Sequence, residues 1–362
     1  MRNMIRKLMA ASVAAAATMA VVSCSSGAGA DAAKSIVAFM PSTSNVYLAA
    51  CAQAAREEAE RNGYSLKIIE NNFDQAEEDQ QVQQFLATGE RPAAILWWPS
   101  VVDAAINSTR QLAEVAPLIQ TDQTLTPKLA EHVKAYGGVD QAEIGKISGE
   151  MALTARDEAV AHGMQLHSPQ GNMLEFSFGP GYTAGLDRTA AFKEATKAAP
   201  FNILHNEPTG FDTQAGYEAA SQIIPQYKDK GIDFIFTHNN DMAVGVVRAL
   251  KQNGLTPGKD VIVIGGNLAG DTAPLLAGEV YGAVVQSPVI EGMLAMRSVI
   301  QYIETGQVTD DEQYLPPNPE LPAFDPKTPP LRVAFQPNVV VNKDNYRTLR
   351  LWGMDVPTLV PA

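Results

Sequence analysis

Positive charge is what this chain of 362 residues has least of: 27 lysines and arginines stand against 40 aspartates and glutamates, a formal net charge of −13. Such a balance repels phosphate backbones and anionic lipid surfaces, which excludes nucleic-acid binding through a general basic face. Cysteine is nearly absent, with Cys24 and Cys51 alone, so no disulfide framework holds the fold. Cys51 stands among Ala49, Ala50, Ala52 and Ala54, the setting of a small buried side chain on a helix rather than of a reactive thiol. The histidines (His132, His162, His167, His205 and His238) include no helical pair flanking a glutamate; they read as surface or loop residues, not as a zinc site. No nucleotide loop is complete, because Gly145-Lys146 is followed by Ile147 and Gly258-Lys259 by Asp260, where a metal-binding hydroxyl is needed. The run Gly265-Gly266-Asn267-Leu268-Ala269-Gly270 lacks dinucleotide spacing. The acidic run Glu77-Glu78-Asp79 reads as the solvated face of a helix rather than an acid/base pair. These absences leave no catalytic residue, no metal and no cofactor to expect.

What is present begins with an address. Arg2, Arg6 and Lys7 precede an apolar run over residues 8–22, which is shorter than the ~20 residues a spanning helix requires and ends in Ser23-Cys24. That is the pattern of an export signal. Val21-Val22-Ser23-Cys24 also resembles a bacterial lipobox, in which cleavage precedes Cys24 and its thiol is acylated; a plain secretory signal is the alternative. Residues 1–24 are therefore assigned to a lipoprotein signal peptide and residues 25–34, rich in Gly, Ala and Ser, to a flexible tether. No later run approaches membrane-spanning length, so the expected location is extracytoplasmic, with lipid as the only link to a membrane.

The body of the chain alternates short apolar runs with longer amphipathic ones. Strands are expected at residues 35–40, 65–70, 93–97 and 117–121, with helices at 46–62, 75–88 and 101–116 between them. The rhythm returns with strands at 172–178, 201–206, 232–237, 260–265 and 281–286 and helices near 183–198, 213–230, 242–253 and 272–277. Runs without polar alternation, such as Ile36-Val37-Ala38-Phe39-Met40, suit strands covered by helices on both faces, hence an α/β chain of two doubly wound parallel-sheet domains. A helix over 289–304 then leads to a proline-rich loop at 312–330, strands at 331–336 and 338–342, and a short helix near 343–350.

In tandem α/β units the ligand loops lie at the C-terminal strand ends, facing each other across a cleft. There the sequence places Asn45, Tyr47, Trp97, Trp98, Asp122, Gln123, Tyr182, Phe211, Asn239, Asn240, Asn267 and Gln286. Planar amides and carboxylates pair with vicinal hydroxyls and aromatic faces cover C–H patches, an inventory that suits a carbohydrate. Other uses are open to each of them. Asn45 and Asn267 are equally placed to start helices, Trp97 and Trp98 to pack beside Pro99, Phe211 to act as a helix-start staple, and Asp241 to sit in a first turn.

With these residues in view, residues 35–345 resemble the ribose-type periplasmic sugar-binding proteins of ABC importers, whose fold is the type I periplasmic binding protein. The marks are Thr43-Ser44-Asn45-Val46-Tyr47, Asn62-Gly63-Tyr64, Trp98-Pro99, Thr121-Asp122, the segment 234–245 with His238-Asn239-Asn240-Asp241-Met242, and Val263-Ile264-Gly265-Gly266-Asn267. The resemblance implies a first-loop contact at Asn45 and Tyr47, a carboxylate for sugar hydroxyls at Asp122, a stacking ring at Phe211 and polar contacts at Asn239, Asn267 and Gln286. It also implies a three-stranded hinge crossing near residues 138–144, 286–288 and 335–337, with one lobe formed by 35–143 and 288–335 and the other by 144–287 and 336–362. Gln123 and Leu186 stand where the family's ribose binders carry arginine, with Arg188 displaced; Asn267 replaces an aspartate and Trp98 an asparagine. These departures remove charge and add aromatic bulk, turning the expectation from ribose toward another neutral monosaccharide, sugar derivative or polyol. The implied partners are that ligand and ABC permease subunits, the protein acting as a monomer. A sensory protein reporting occupancy to a membrane receptor is the alternative.

Overall fold

The computed structural model describes residues 34–308, 332–335, 339–351 and 353–361. The signal segment, Cys24, the tether up to residue 33 and the proline-rich stretch lie outside the described residues.

The first half of the chain builds β1 (Ser35–Pro41), β2 (Ser65–Asn71), β3 (Ala94–Trp97), β4 (Leu118–Gln120) and β5 (Ala135–Val139). Between them run α1 (Val46–Arg61), α2 (Gln75–Thr88), α3 (Ile106–Ala113) and the single turn α4 (Pro127–Ala130). Then follow α5 (Gln141–Ala161), β6 (Asn172–Phe178), α6 (Thr183–Ala195), β7 (Asn202–Thr209), α7 (Thr213–Tyr227), β8 (Phe234–Thr237) and α8 (Asn240–Gln252). After these come β9 (Ile262–Asn267), α9 (Ala273–Leu276), β10 (Gly282–Val284) and α10 (Pro288–Thr305). The chain closes with β11 (Arg332–Phe335), β12 (Val340–Val341), the hairpin β13 (Arg350–Leu351) and β14 (Met354–Asp355), and α11 (Val356–Leu359).

Two six-stranded sheets result, ordered β11-β5-β4-β3-β1-β2 and β12-β10-β9-β8-β6-β7. Every pairing within them is parallel except that of β10 with β12. Central strands are buried on both faces: β3, β6 and β8 are buried throughout, whereas edge strand β2 alternates buried and exposed residues. This is the pattern expected of parallel strands sandwiched by helices. Helices α1 and α10 pack together on the first sheet, and α5 against α6 on the second. The chain passes between sheets at Val139–Gln141, where Asp140 caps α5, and again between β10 and α10, where Ser287 is the cap.

The rhythm read from the sequence omits β5 and α5. The strand is interrupted by Gly137 and Gly138, and α5 carries Gly145, Ser148 and Gly149 on its buried side, so neither shows a continuous apolar stripe. At Gly145 an added Cβ would lie 2.2 Å from the Arg188 carbonyl oxygen, so only glycine lets α5 approach α6 this closely. The helix expected over 101–116 begins only at Ile106. That expected near 343–350 is a series of turns, because Asn342 Oδ1 accepts from the amides of Asp344 and Asn345 in competition with helical bonding.

Candidate functional site

The C-terminal ends of the parallel strands carry helix caps and side chains that meet in one cavity. On the first-sheet side, Asn45 follows β1 and caps α1, its Oδ1 accepting from Tyr47 N at 2.9 Å and Leu48 N at 3.3 Å. Phe73 follows β2, Trp98 follows β3 and Asp122 follows β4. Phe73 and Asp122 both hold left-handed backbone, φ 58° and φ 59°. Strain of that kind costs on the order of 1–3 kcal/mol and persists where the surroundings impose it; here both side chains reach the cavity.

On the second-sheet side, β6 ends at Phe178 and leads to Tyr182 and Arg188, β7 leads to Phe211, and β8 to Asn239 and Asp241. Strand β9 ends at Asn267, and Gln286 lies beyond β10. The two walls touch. Phe73 stacks on Phe211 with centroids 4.2 Å apart and an interplanar angle of 18°. Tyr182 donates to Asp122 Oδ2 at 2.5 Å and accepts from Trp98 Nε1 at 3.2 Å. The space left is about 50 Å³. Pockets that hold a small ligand typically measure roughly 300–1,000 Å³, so the walls must part to admit a ring compound.

Arg188 organises the floor. It is 2% exposed, lies over the Phe178 ring, and spends every guanidinium N–H on the protein. Nε and Nη2 donate to Gln141 Oε1 at 3.0 and 2.6 Å, Nη2 also to Gln286 Oε1 at 2.8 Å, and Nη1 to Asn267 Oδ1 at 2.6 Å and to the His238 carbonyl. Gln141 in turn donates to Asp122 Oδ1 at 2.9 Å. Gln286 Nε2 donates to Glu291 Oε2 at 3.1 Å, and the Tyr47 hydroxyl donates to the same oxygen. Burial pushes Asp122 up to about 6, against the opposing pull of Tyr182, Arg188 and Gln141. Burial first and the Asp122 charge second push Glu291 up to about 8. Burial, with Asp212 and Asp271 behind it, pushes Asp241 up to about 6.

Asn45, Tyr47, Trp98, Asp122, Tyr182, Arg188, Phe211, Asn239, Asn267 and Gln286 are thus brought together around the cavity. Trp97 is not: successive strand residues face opposite ways, and its ring packs on Phe39 in the core with Nε1 donating to Thr109 Oγ1 at 3.0 Å. Gln123 is spent beside the cavity, its Nε2 on the Pro99 and Ser100 carbonyls and its Oε1 on Thr183 N at 2.8 Å. Asn240 does not line it either: its Nδ2 holds the Ala269 and Asp271 carbonyls, and its buried Oδ1 accepts from no described residue. The expected loss of charge is corrected: Leu186 is 63% exposed, and Arg188, on the inward face of α6, keeps a guanidinium in the site. His238 is buried against Glu175 rather than at the surface. Glu78 is buried too, accepting from Asn71 Nδ2 and Ser100 N, because α2 turns it toward the loop after β3.

Sequence reasoning missed Phe73, Phe178, Gln141 and Glu291. Phe178 ends an expected strand and was legible there; Phe73 depends on a loop conformation, and Gln141 and Glu291 on helices that enter from the crossings.

The profile of the family described as periplasmic binding protein domain matches residues 36–307. The galactofuranose-binding protein YtfQ of Escherichia coli strain K12 is 27% identical over 221 residues, 59% of this chain and 64% of that protein. The ribose import binding protein RbsB of the same strain is 26% identical over 262 residues, 72% of this chain and 79% of its own length. An ABC transporter solute-binding protein from Bacillus halodurans C-125, solved with bound myo-inositol, superposes with a TM-score of 0.67 at 17% identity, covering 87% of this chain and 96% of that one.

Proposed function

We propose, from the premise that this chain belongs to the periplasmic binding protein domain family, that it captures a neutral, hydroxyl-rich small molecule for an ABC importer. As a member of that family it is an extracytoplasmic solute-binding protein and not an enzyme. The observation that carries the ligand class is the lining of the cavity. Aromatic side chains supply faces for C–H patches, and Asp122 and Asp241 supply acceptors for hydroxyls. The only cation among the lining residues, Arg188, has no fork left for a ligand carboxylate or phosphate, because the protein already accepts from each of its N–H groups. An anion would also meet two carboxylates. Galactofuranose, ribose and myo-inositol, the compounds named for the related proteins, are of the neutral polyhydroxyl class.

The two lobes, one built on each six-stranded sheet, move about the crossings and close on the ligand. Contacts made only in the closed form supply the energy of closure. The closed surface is the one a permease reads, the protein acting as a monomer tethered through acylated Cys24. Among the described residues no helix is long and apolar enough to cross a membrane.

A thermal-shift panel of pentoses, hexoses, inositols, sugar acids and amino acids tests the ligand class. At a hundred times its dissociation constant, a ligand of the folded form adds about 2.7 kcal/mol of stability, several degrees in melting temperature. A rise with a neutral sugar or polyol is the expected result. A rise only with a sugar acid or an amino acid overturns it.

A further inference from the structure

Among the side-chain acceptors that line the second-lobe wall, one stands apart. Asn239 Oδ1 accepts from Met242 N and its Nδ2 donates to the Phe211 carbonyl. Asn267 Oδ1 and Gln286 Oε1 both accept from Arg188, and the Tyr182 hydroxyl is shared between Asp122 and Trp98. Asp241 differs from all of these. It lines the cavity, is 8% exposed, and its carboxyl group accepts no hydrogen bond from any described residue. Its neighbours make matters worse for an anion, since Asp212 and Asp271 are the charges that act on it. It is also held in place. Asn240 Nδ2 ties down the Ala269 and Asp271 carbonyls at 2.8 and 3.0 Å, and Gly270, at φ +61°, leaves the room that a Cβ would take at 1.9 Å from Asp241 Oδ1. A buried carboxyl left without a donor costs on the order of 1–3 kcal/mol, a penalty that a ligand hydroxyl removes on entering.

We propose that Asp241 is a specificity-determining ligand contact, accepting a hydrogen bond from a hydroxyl at the end of the ligand that faces the second lobe. The residues expected for this wall, Asn239, Asn267 and Gln286, then act chiefly by shaping it and by holding Arg188 and the Phe211 loop. The inference rests on the neutral, hydroxyl-rich ligand class proposed above. It adds that discrimination among such ligands is set where Asp241 stands: an analogue lacking the facing hydroxyl leaves the carboxyl unpaired and is rejected.

The test is calorimetric titration of wild type, Asp241→Asn and Asp241→Glu with the sugar that gives the largest thermal shift and with its monodeoxy analogues. Asp241→Asn keeps the side-chain shape, and its melting temperature without ligand checks that it folds; Asp241→Glu keeps the charge and moves it by one methylene. Both variants are expected to bind the parent sugar ten- to a hundredfold more weakly. One deoxy analogue is expected to bind wild type as weakly, with no further loss in Asp241→Asn. Parent affinity unchanged in both variants, or losses from variant and analogue that simply multiply, overturns the inference while the ligand class stands. Failure of every sugar and polyol to bind wild type removes the ligand class and this inference with it.

Discussion

Arg188→Leu is expected to lower the unfolding free energy by roughly 3 kcal/mol or more, with loss of ligand response in whatever fraction still folds. The guanidinium satisfies the side-chain oxygens of Gln141, Asn267 and Gln286 together with the His238 carbonyl, and the residues bearing these are all buried. Leucine fills much of the volume but leaves the three amide oxygens unpaired, at on the order of 1–3 kcal/mol apiece before relaxation, while the His238 carbonyl keeps the Asn267 backbone amide at 3.4 Å. Arg188→Lys is expected to recover only part of the loss, because an ammonium offers its donors from one point and does not span three amides. Urea denaturation gives the comparison. A leucine variant within about 1 kcal/mol of wild type would mean that these contacts are incidental.

Stability is expected to fall as pH rises from about 6.5 to 8, with Glu291 and Glu78 responsible. Both carboxyls are pushed up to about 8, burial being the first cause in each. Their folded-state values lie above those of the unfolded chain, so across this window the native protein holds protons that the unfolded chain has released. Stability from such groups is complete at low pH and is lost as pH rises through the folded-state value. Asp122 and Asp241, pushed up to about 6, act in the same sense at lower pH. His238, pushed down by burial, works in the opposite sense below its ordinary range near 6.5, which is why the window starts there. Glu291→Gln keeps the acceptor for Tyr47 and removes the titration, so its melting temperature should change less between pH 6.5 and 8 than that of wild type. Equal slopes for the two proteins would contradict the assignment.

Much of this was legible in the amino-acid sequence because parallel strands and their covering helices announce themselves. Helix 75–88 and strand 172–178 are read at their observed ends, the helix from a longer amphipathic run and the strand from a short apolar one. What stayed hidden is where backbones approach too closely for large side chains: α5, with Gly145 against Arg188, shows no stripe because its contact surface is made of small residues. In the site, strand-end reasoning gathered Asn45, Asp122, Phe211 and Gln286. It did not resolve parity at Trp97-Trp98, where one residue faces the core and the next the cavity. Nor did it separate amides that shape the wall from the carboxyl that is left unpaired, since Asn239 and Asp241 both follow β8 and only their hydrogen bonds distinguish them.

Motion between the lobes is the claim on which the ligand argument stands. Cysteines placed at the exposed positions Gln84 on α2 and Gln222 on α7 carry spin labels while Cys51, buried, does not react. Pulsed electron-electron resonance then reads the distance across the cleft with and without the sugar that stabilises the protein. A broad distribution that shifts and narrows as sugar saturates the site is the predicted result; a distribution that stays the same while calorimetry shows the sugar bound would contradict closure.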